Sequence, residues 1–356
     1  MAKGKSKKKG AGKWKSALVF IVILLIGAGL LWVYQVYKDV YKPNVTIEGK
    51  KETYLYIPTG SDYKDVIKSL EENRYVKDTV SFNWLAQKMN YTHNVKPGRY
   101  LIEYNMSNKK LITMLRSGIQ KPVKVVFHNI RTTNQLAGVI SRQIEADSVS
   151  LIKILNNKTE AENYGFTKEA FISMFIPNTY ELYWNTNAKE FCERMLKEYK
   201  KFWNVERMQK AEQINYNPVE ITTIASIVEE ETQYNPEKPI IAGVYINRLQ
   251  RGMALQADPT VKFAVGDFAI KRVLDKHTAV LSPYNTYRQP GLPPGPICIP
   301  SISSINAVLN YQRHEYLYFC AKDDFSGSHS FAKTLQQHNI NADAYRKALN
   351  RNKIFK

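Results

Sequence analysis

The chain has 356 residues, room for roughly two domains of ordinary size, and a formal net charge of +19. Three scattered cysteines, Cys192, Cys298 and Cys320, exclude a disulfide framework and allow one bridge at most; without C-x-x-C or H-E-x-x-H spacing, no metal or cofactor is expected. The charge is uneven: the first fifteen residues carry seven lysines and no acid, which leaves +12 on the remainder.

Residues 17–34, ALVFIVILLIGAGLLWVY, hold no charge and end in Trp32 and Tyr34. A bilayer core needs about 20 mostly apolar residues, so a transmembrane helix is expected over 17–37, after a basic tail at 1–16. A cleavable signal peptide has an apolar run of only about 7–15 residues ending in an A-x-A-like site, and the aromatic end here suits an interfacial anchor better. Lysines on the N-terminal side place that end in the cytoplasm and everything from residue 38 outside it. The positive charge on that outer part suggests an acidic partner. A carboxylate- or phosphate-bearing wall polymer fits this side of the membrane, whereas nucleic acid does not.

Residues 38–51 read as a polar linker broken by Pro43 and Gly49. Residues 53–57, TYLYI, alternate as a strand does; Ser61 or Asp62 can cap a helix carrying Val66, Ile67 and Leu70. Phe82, Leu85, Ala86 and Met89 mark a second helix, and the KPG turn at 96–98 leads into a strand over 99–104. This strand-helix-helix-strand unit, with a helix over 107–118 closed by Gly118, forms an expected module at 52–118. A strand at 123–127 follows, then helices over 133–146, 168–175, 189–205 and 219–232, within one larger mainly helical domain at 119–356.

The most informative stretch is ITTIASIVEEETQYN, residues 221–235, following Pro218 at the first turn of a helix. Ile221, Ile224, Ala225, Ile227 and Val228 have the spacing of a buried face, and residue 231 continues it. Glu230 then points away and Glu229 to the flank. A carboxyl group against an apolar wall has its pKa raised, as a general acid near neutral pH requires. Glycoside cleavage usually takes two carboxyls, and acids two apart on a helix cannot straddle a sugar. Asp258, in ALQADPTV, is the nearest candidate for the second carboxylate.

ASIVEEET, GVYINRLQRGMALQADPTV, SPYNTYRQPGLPPGPI, YLYFC and GSHSFAKTLQQHN occur in that order. Together they closely resemble the endolytic murein transglycosylases, the MltG or YceG-like family. The resemblance implies an α+β fold: a transmembrane helix, a small LysM-like βααβ module that binds wall glycan or serves as a spacer, and a lysozyme-like catalytic domain with added strands. It implies a lyase in the bacterial cytoplasmic membrane that cuts peptidoglycan glycan strands between MurNAc and GlcNAc. One glutamate would act as acid and then base to give 1,6-anhydroMurNAc ends. That glutamate aligns with Glu231, with Glu229 as the competing register. Gln256, Asp258, Thr260, Tyr284, Asn285 and Thr286 offer polar groups and an aromatic surface for sugars, although the same segments also start turns. His329 and Phe331 are expected to line the cleft. Asn178 stands where the family usually has aspartate. Work beside glycan polymerases, limiting strand length, is a further implication. A hydrolytic muramidase with Glu231 as acid and Asp258 as base or nucleophile is the rival enzyme, and a non-catalytic wall-binding scaffold is the reading from another class.

Overall fold

The computed structural model describes residues 11–352, so most of the lysine tail expected at 1–16 lies outside the described residues. Two compact units emerge, one running to Pro122 and taking in Tyr183–Asn185, the other holding Val123–Leu182 and the chain from Thr186 on.

The first unit begins with α1 (Ala11–Tyr41). Within it, Trp14–Tyr41 is long and apolar enough to cross a membrane, and its most apolar window has nothing buried against protein. The expected linker at 38–51 is not a loose spacer. It stays helical to Tyr41, and Val45 and Ile47 then enter the core, with Pro43 and Val45 bridging to Ser107 and Val76. Asn44 Nδ2 donates to Asn108 Oδ1 at 2.7 Å and to the Asp78 carbonyl at 2.8 Å; Asn108 Nδ2 donates to the Asp39 carbonyl at 2.9 Å. Buried amides satisfied in this way tie the end of the apolar helix to the rest of the unit.

That unit continues with β1 (Glu52–Ile57), α2 (Tyr63–Glu72), α3 (Thr79–Lys88), β2 (Gly98–Glu103) and α4 (Asn108–Ser117). The strands pair antiparallel, Glu52 opposite Glu103 and Ile57 opposite Gly98, which turns Leu55, Ile57, Tyr100 and Ile102 onto Phe82, Leu111 and Leu115. Asp62 caps α2 in a capping box with Asp65, and Gly118 at φ 72° closes α4 in the left-handed conformation that glycine adopts freely.

In the second unit β3 (Val123–Val126) pairs antiparallel with β4 (Thr179–Leu182), and between them lie α5 (Thr133–Ile140), α6 (Ser148–Leu155) and α7 (Lys158–Asn163). The helix expected to reach 146 stops at Ile140. Gln143 is the reason: its side chain accepts from Val126 N and donates to Val126 O, both at 2.8 Å, docking the chain against β3. The helix expected at 168–175 is a 3₁₀ turn, Phe171–Met174. Every residue from 171 to 176 is buried, a pattern one helical face cannot provide. Then come α8 (Ala188–Phe202), α9 (Val205–Gln213), α10 (Pro218–Glu231), α11 (Lys238–Gln250), α12 (Asp258–Val265), α13 (Asp275–Thr278) and α14 (Ile302–Leu309). The β5 (Tyr318–Ala321) and β6 (His329–Ala332) hairpin and α15 (Leu335–Arg351) complete the unit. The helix expected over 189–205 is α8, which ends at Phe202, and Asn204 then caps α9, a helix the sequence reading did not include. Among the described residues all three cysteines are free.

Mixed helix and strand, one N-terminal apolar helix and a mainly helical second unit make up the fold. Its second core is built around α10, whose Ile221, Ile224, Ile227 and Val228 pack with Ile241 and Ile246 of α11 and Ile305 and Val308 of α14. Close approach to α11 requires Gly243: a Cβ there would lie 2.5 Å from the Gln312 carbonyl.

Candidate active site

Helix α10 starts with Asn217 as cap, Glu220 closing a capping box and Pro218 in the first turn. The expected apolar stripe is buried, but so are Thr222, Thr223 and Ser226. Their hydroxyls donate to the carbonyls of Pro218, Val219 and Thr223 at 2.7–2.8 Å, which makes burial affordable for polar side chains. From Ile221 to Val228 the helix is interior on every side, and only its two ends reach solvent.

That turn carries three glutamates with three fates. Glu229 Oε2 accepts from Lys238 Nζ at 3.0 Å, from Ser301 Oγ at 2.5 Å and from Ser304 Oγ. Burial alone would raise its pKa, but the hydrogen bonds from Ser301, Ser304 and Lys238 outweigh burial and hold it below the usual range. Glu230 takes a two-pronged ion pair from Arg131, Nε at 3.2 Å and Nη2 at 2.8 Å. Glu231 has a single hydrogen-bond partner among the described residues, the Tyr245 hydroxyl, which donates to Oε1 at 2.6 Å. Burial pushes its pKa up to about 7, against the Tyr245 hydrogen bond and with help from the negative charge of Asp258. Its place at the carbonyl end of α10 acts in the same direction.

Glu231 opens into a cavity of about 340 Å³ whose lining includes Tyr245 and Arg248 of α11, Gln256, Asp258, Tyr287 and Phe319 of β5. Tyr245 is wedged edge-on against Phe319, ring centroids 6.0 Å apart. Across the cavity Tyr287 donates to Asp258 Oδ1 at 2.6 Å, so each carboxyl is held by one tyrosine. Gln256 sits at φ 51°, sparsely populated for a residue with a side chain, pinned where its N–H donates to the Thr286 carbonyl.

Of the residues singled out from the sequence, Glu231, Gln256 and Asp258 meet in this cavity. Glu229 does not: it locks α10 to α11 and α14. Thr260, Asn285 and Thr286 are buried beneath the cavity wall. Thr286 Oγ1 accepts from Ala257 N and lies 2.7 Å from Thr260 Oγ1, and Asn285 donates to the carbonyls of Thr278 and Val280, so these three hold the loops that carry Asp258 and Tyr287. Tyr284 packs on Phe263 at 4.6 Å in a separate cavity lined also by Arg131 and Lys168. His329 and Phe331 stand behind the wall: His329 Nδ1 lies 2.8 Å from Glu237 Oε2, and both rings pack on Phe319. Exposed Asn178 accepts from Thr179 N. Tyr245, Arg248, Tyr287 and Phe319 were missed, although all four lie inside the quoted motifs, Tyr287 three residues past the tyrosine that was chosen. Among the described residues no group of three His, Cys, Asp or Glu side chains could hold a metal.

A mainly helical unit with a protonatable glutamate ending a buried helix can now be set beside known proteins. The chain belongs to the YceG-like family, whose sequence model matches residues 55–344. Curated relatives named endolytic murein transglycosylase include one from Bacillus subtilis, 28% identical over 339 residues, covering 90% of this chain and 91% of the relative. Another, from Streptococcus pneumoniae, is 28% identical over 362 residues, covering 92% of this chain but 64% of the relative, so the chain spans just under two thirds of that protein's length. A crystal structure of a YceG-like protein from Listeria monocytogenes superposes with a TM-score of 0.54 at 27% identity, covering 82% of this chain and 99% of that one.

Proposed function

We propose that this chain is an endolytic lytic transglycosylase of peptidoglycan with Glu231 as its catalytic residue. The observation that carries the reading is a carboxyl with a pKa near 7, held by one tyrosine and open to a polar cavity. Such a group is protonated often enough to give a proton and basic enough to take one back.

In the reaction, Glu231 protonates the oxygen between MurNAc C1 and the next GlcNAc as that C–O bond breaks. The resulting carboxylate then accepts the proton of the MurNAc C6 hydroxyl as its oxygen bonds to C1. No water is consumed. The products are a 1,6-anhydroMurNAc end and a GlcNAc with a free hydroxyl, and the carboxyl is again protonated. A second reading, hydrolysis with Asp258 as the base, is favoured by the presence of Asp258 in the same cavity, and it would leave a reducing MurNAc end.

The apolar helix α1 supports a single-pass anchor in the bacterial cytoplasmic membrane, N-terminus inside and the second unit outside. Amides that fasten α1 to the first unit support a chain held at the membrane, where strands are made; glycan polymerases are the proposed neighbours. The βααβ order supports a LysM-like, glycan-binding role for residues 52–118, with 119–356 as the catalytic domain. The decisive experiment is mass spectrometry of fragments released from purified sacculi by the detergent-solubilised chain. Anhydro-muropeptides are expected, absent with Glu231→Gln and present with Glu230→Gln; reducing ends alone would sink the transglycosylase reading in favour of hydrolysis.

A further inference from the structure

The cavity beside Glu231 holds a cation that the proposed reaction leaves unused. Arg248, near the end of α11, is only 7% exposed. Nε donates to the Leu317 carbonyl at 2.8 Å, and Nη1 donates to the carbonyls of Leu255 at 2.7 Å and Ala254 at 3.2 Å. The guanidinium lies over the Tyr318 ring, 5.2 Å from its centroid, and His338 stacks on that ring at 5.5 Å. Nη2 has no acceptor among the described residues, and none of their ion pairs includes Arg248. A guanidinium buried without a carboxylate is costly, and three carbonyls offset only part of that cost. Pinned on one edge and free on the other, it is preorganised for an anion arriving through the cavity.

The substrate's chemistry says which anion. The sugar rings of a peptidoglycan strand are neutral; its carboxylates are carried on the lactyl ether at C3 of MurNAc, either along the peptide stem or, where the stem has been removed, on the lactyl group itself. Glu231 and Arg248 line the same cavity of about 340 Å³, and on a MurNAc whose C1 meets Glu231 the C3 substituent is only two ring carbons away. We infer that Arg248 is a substrate-recognition residue that binds a carboxylate borne by the MurNAc lactyl substituent, so that the enzyme reads the charge of the strand as well as its sugars. This rests on the transglycosylase reading above.

The test measures kcat/KM of the detergent-solubilised full chain on three glycan strands: stem-bearing, stem-bearing with carboxylates neutralised by carbodiimide and methylamine, and amidase-stripped. Neutralisation is expected to lower wild-type kcat/KM by about tenfold to a hundredfold, the worth of one hydrogen bond to a charged group. Stripped strands cut as fast as stem-bearing ones show that Arg248 takes the lactyl carboxylate in place of a stem carboxylate; stripped strands cut as slowly as neutralised ones show that it reads the stem alone. Arg248→Gln should cut charged and neutralised strands at one reduced rate, while Arg248→Lys should keep part of the preference. General attraction between a basic protein and an acidic strand survives in Arg248→Gln, so loss of discrimination there is specific to the site. Equal wild-type rates on charged and neutralised strands, a comparison that needs no variant to fold, would overturn the inference, as would undiminished discrimination by Arg248→Gln. Product ends report separately: reducing ends in every arm would defeat the transglycosylase reading while the rate ratios still judged Arg248.

Discussion

Replacing Glu231 by glutamine removes one ionisable proton and almost nothing else, since the amide oxygen can still accept from Tyr245. The folded pKa of about 7 lies well above the ordinary 4.5, so the fold disfavours the ionised form by about 3 kcal/mol. Below about pH 4.5 the group is protonated in both folded and unfolded chains and costs nothing. Between there and about pH 7 the native state keeps a proton that the unfolded chain releases, so this group's contribution makes wild-type stability fall as pH rises. Glutamine cannot ionise. Glu231→Gln is therefore expected to be more stable than wild type by about 3 kcal/mol at pH 8, with the gap closing toward pH 4.5, while strand cutting is lost at every pH. Urea titration of both solubilised proteins at pH 5, 6, 7 and 8, with muropeptide release measured in parallel, reads both effects. A gap that does not change with pH, or a variant less stable than wild type at pH 8, would refute the assignment of Glu231 as the buried protonatable acid.

Tyr245→Phe removes the hydrogen bond that favours the Glu231 carboxylate, so the alkaline limb of the pH–kcat/KM profile should move upward by about one to two units; a downward move would contradict the geometry. Lys238→Met leaves Glu229 buried without its cation and should cost about 3–5 kcal/mol above pH 5, less as acid protonates Glu229, as thermal denaturation across pH would show. Gly243→Ala drives a methyl group to 2.5 Å from the Gln312 carbonyl and should cost about 1–3 kcal/mol in the same assay; an unchanged midpoint would mean that α11 yields easily. EDTA should leave strand cutting unchanged, because every proton transfer proposed here belongs to a carboxyl group.

The elements legible beforehand are those specified by neighbours a few positions away. The uncharged run before Tyr34 needs only its own length and polarity to be a spanning candidate, and β1, α2, α4 and α10 follow from alternation, caps and Pro218. Glu231 was reached through helical period and motif together, although the structure shows α10 buried on all sides, so the end of the helix matters more than the stripe. Where the reading erred, a distant partner intervened. Gln143 ended a helix by pairing with Val126, and Asn44 turned an apparent linker into core by pairing with Asn108, 64 residues away.

The sequence by itself determined that an acid would end a buried helix beyond an apolar N-terminal helix, because period, capping and hydropathy act within one or two turns. Only the tertiary structure decided which of three adjacent glutamates keeps its proton. Glu229 is held below the usual carboxylate range with the help of Ser301, 72 residues on, Glu230 is paired with Arg131, 99 residues back, and Glu231 is left with Tyr245. Protonation is set by burial and by the donors within reach in space, and distance along the chain does not encode that.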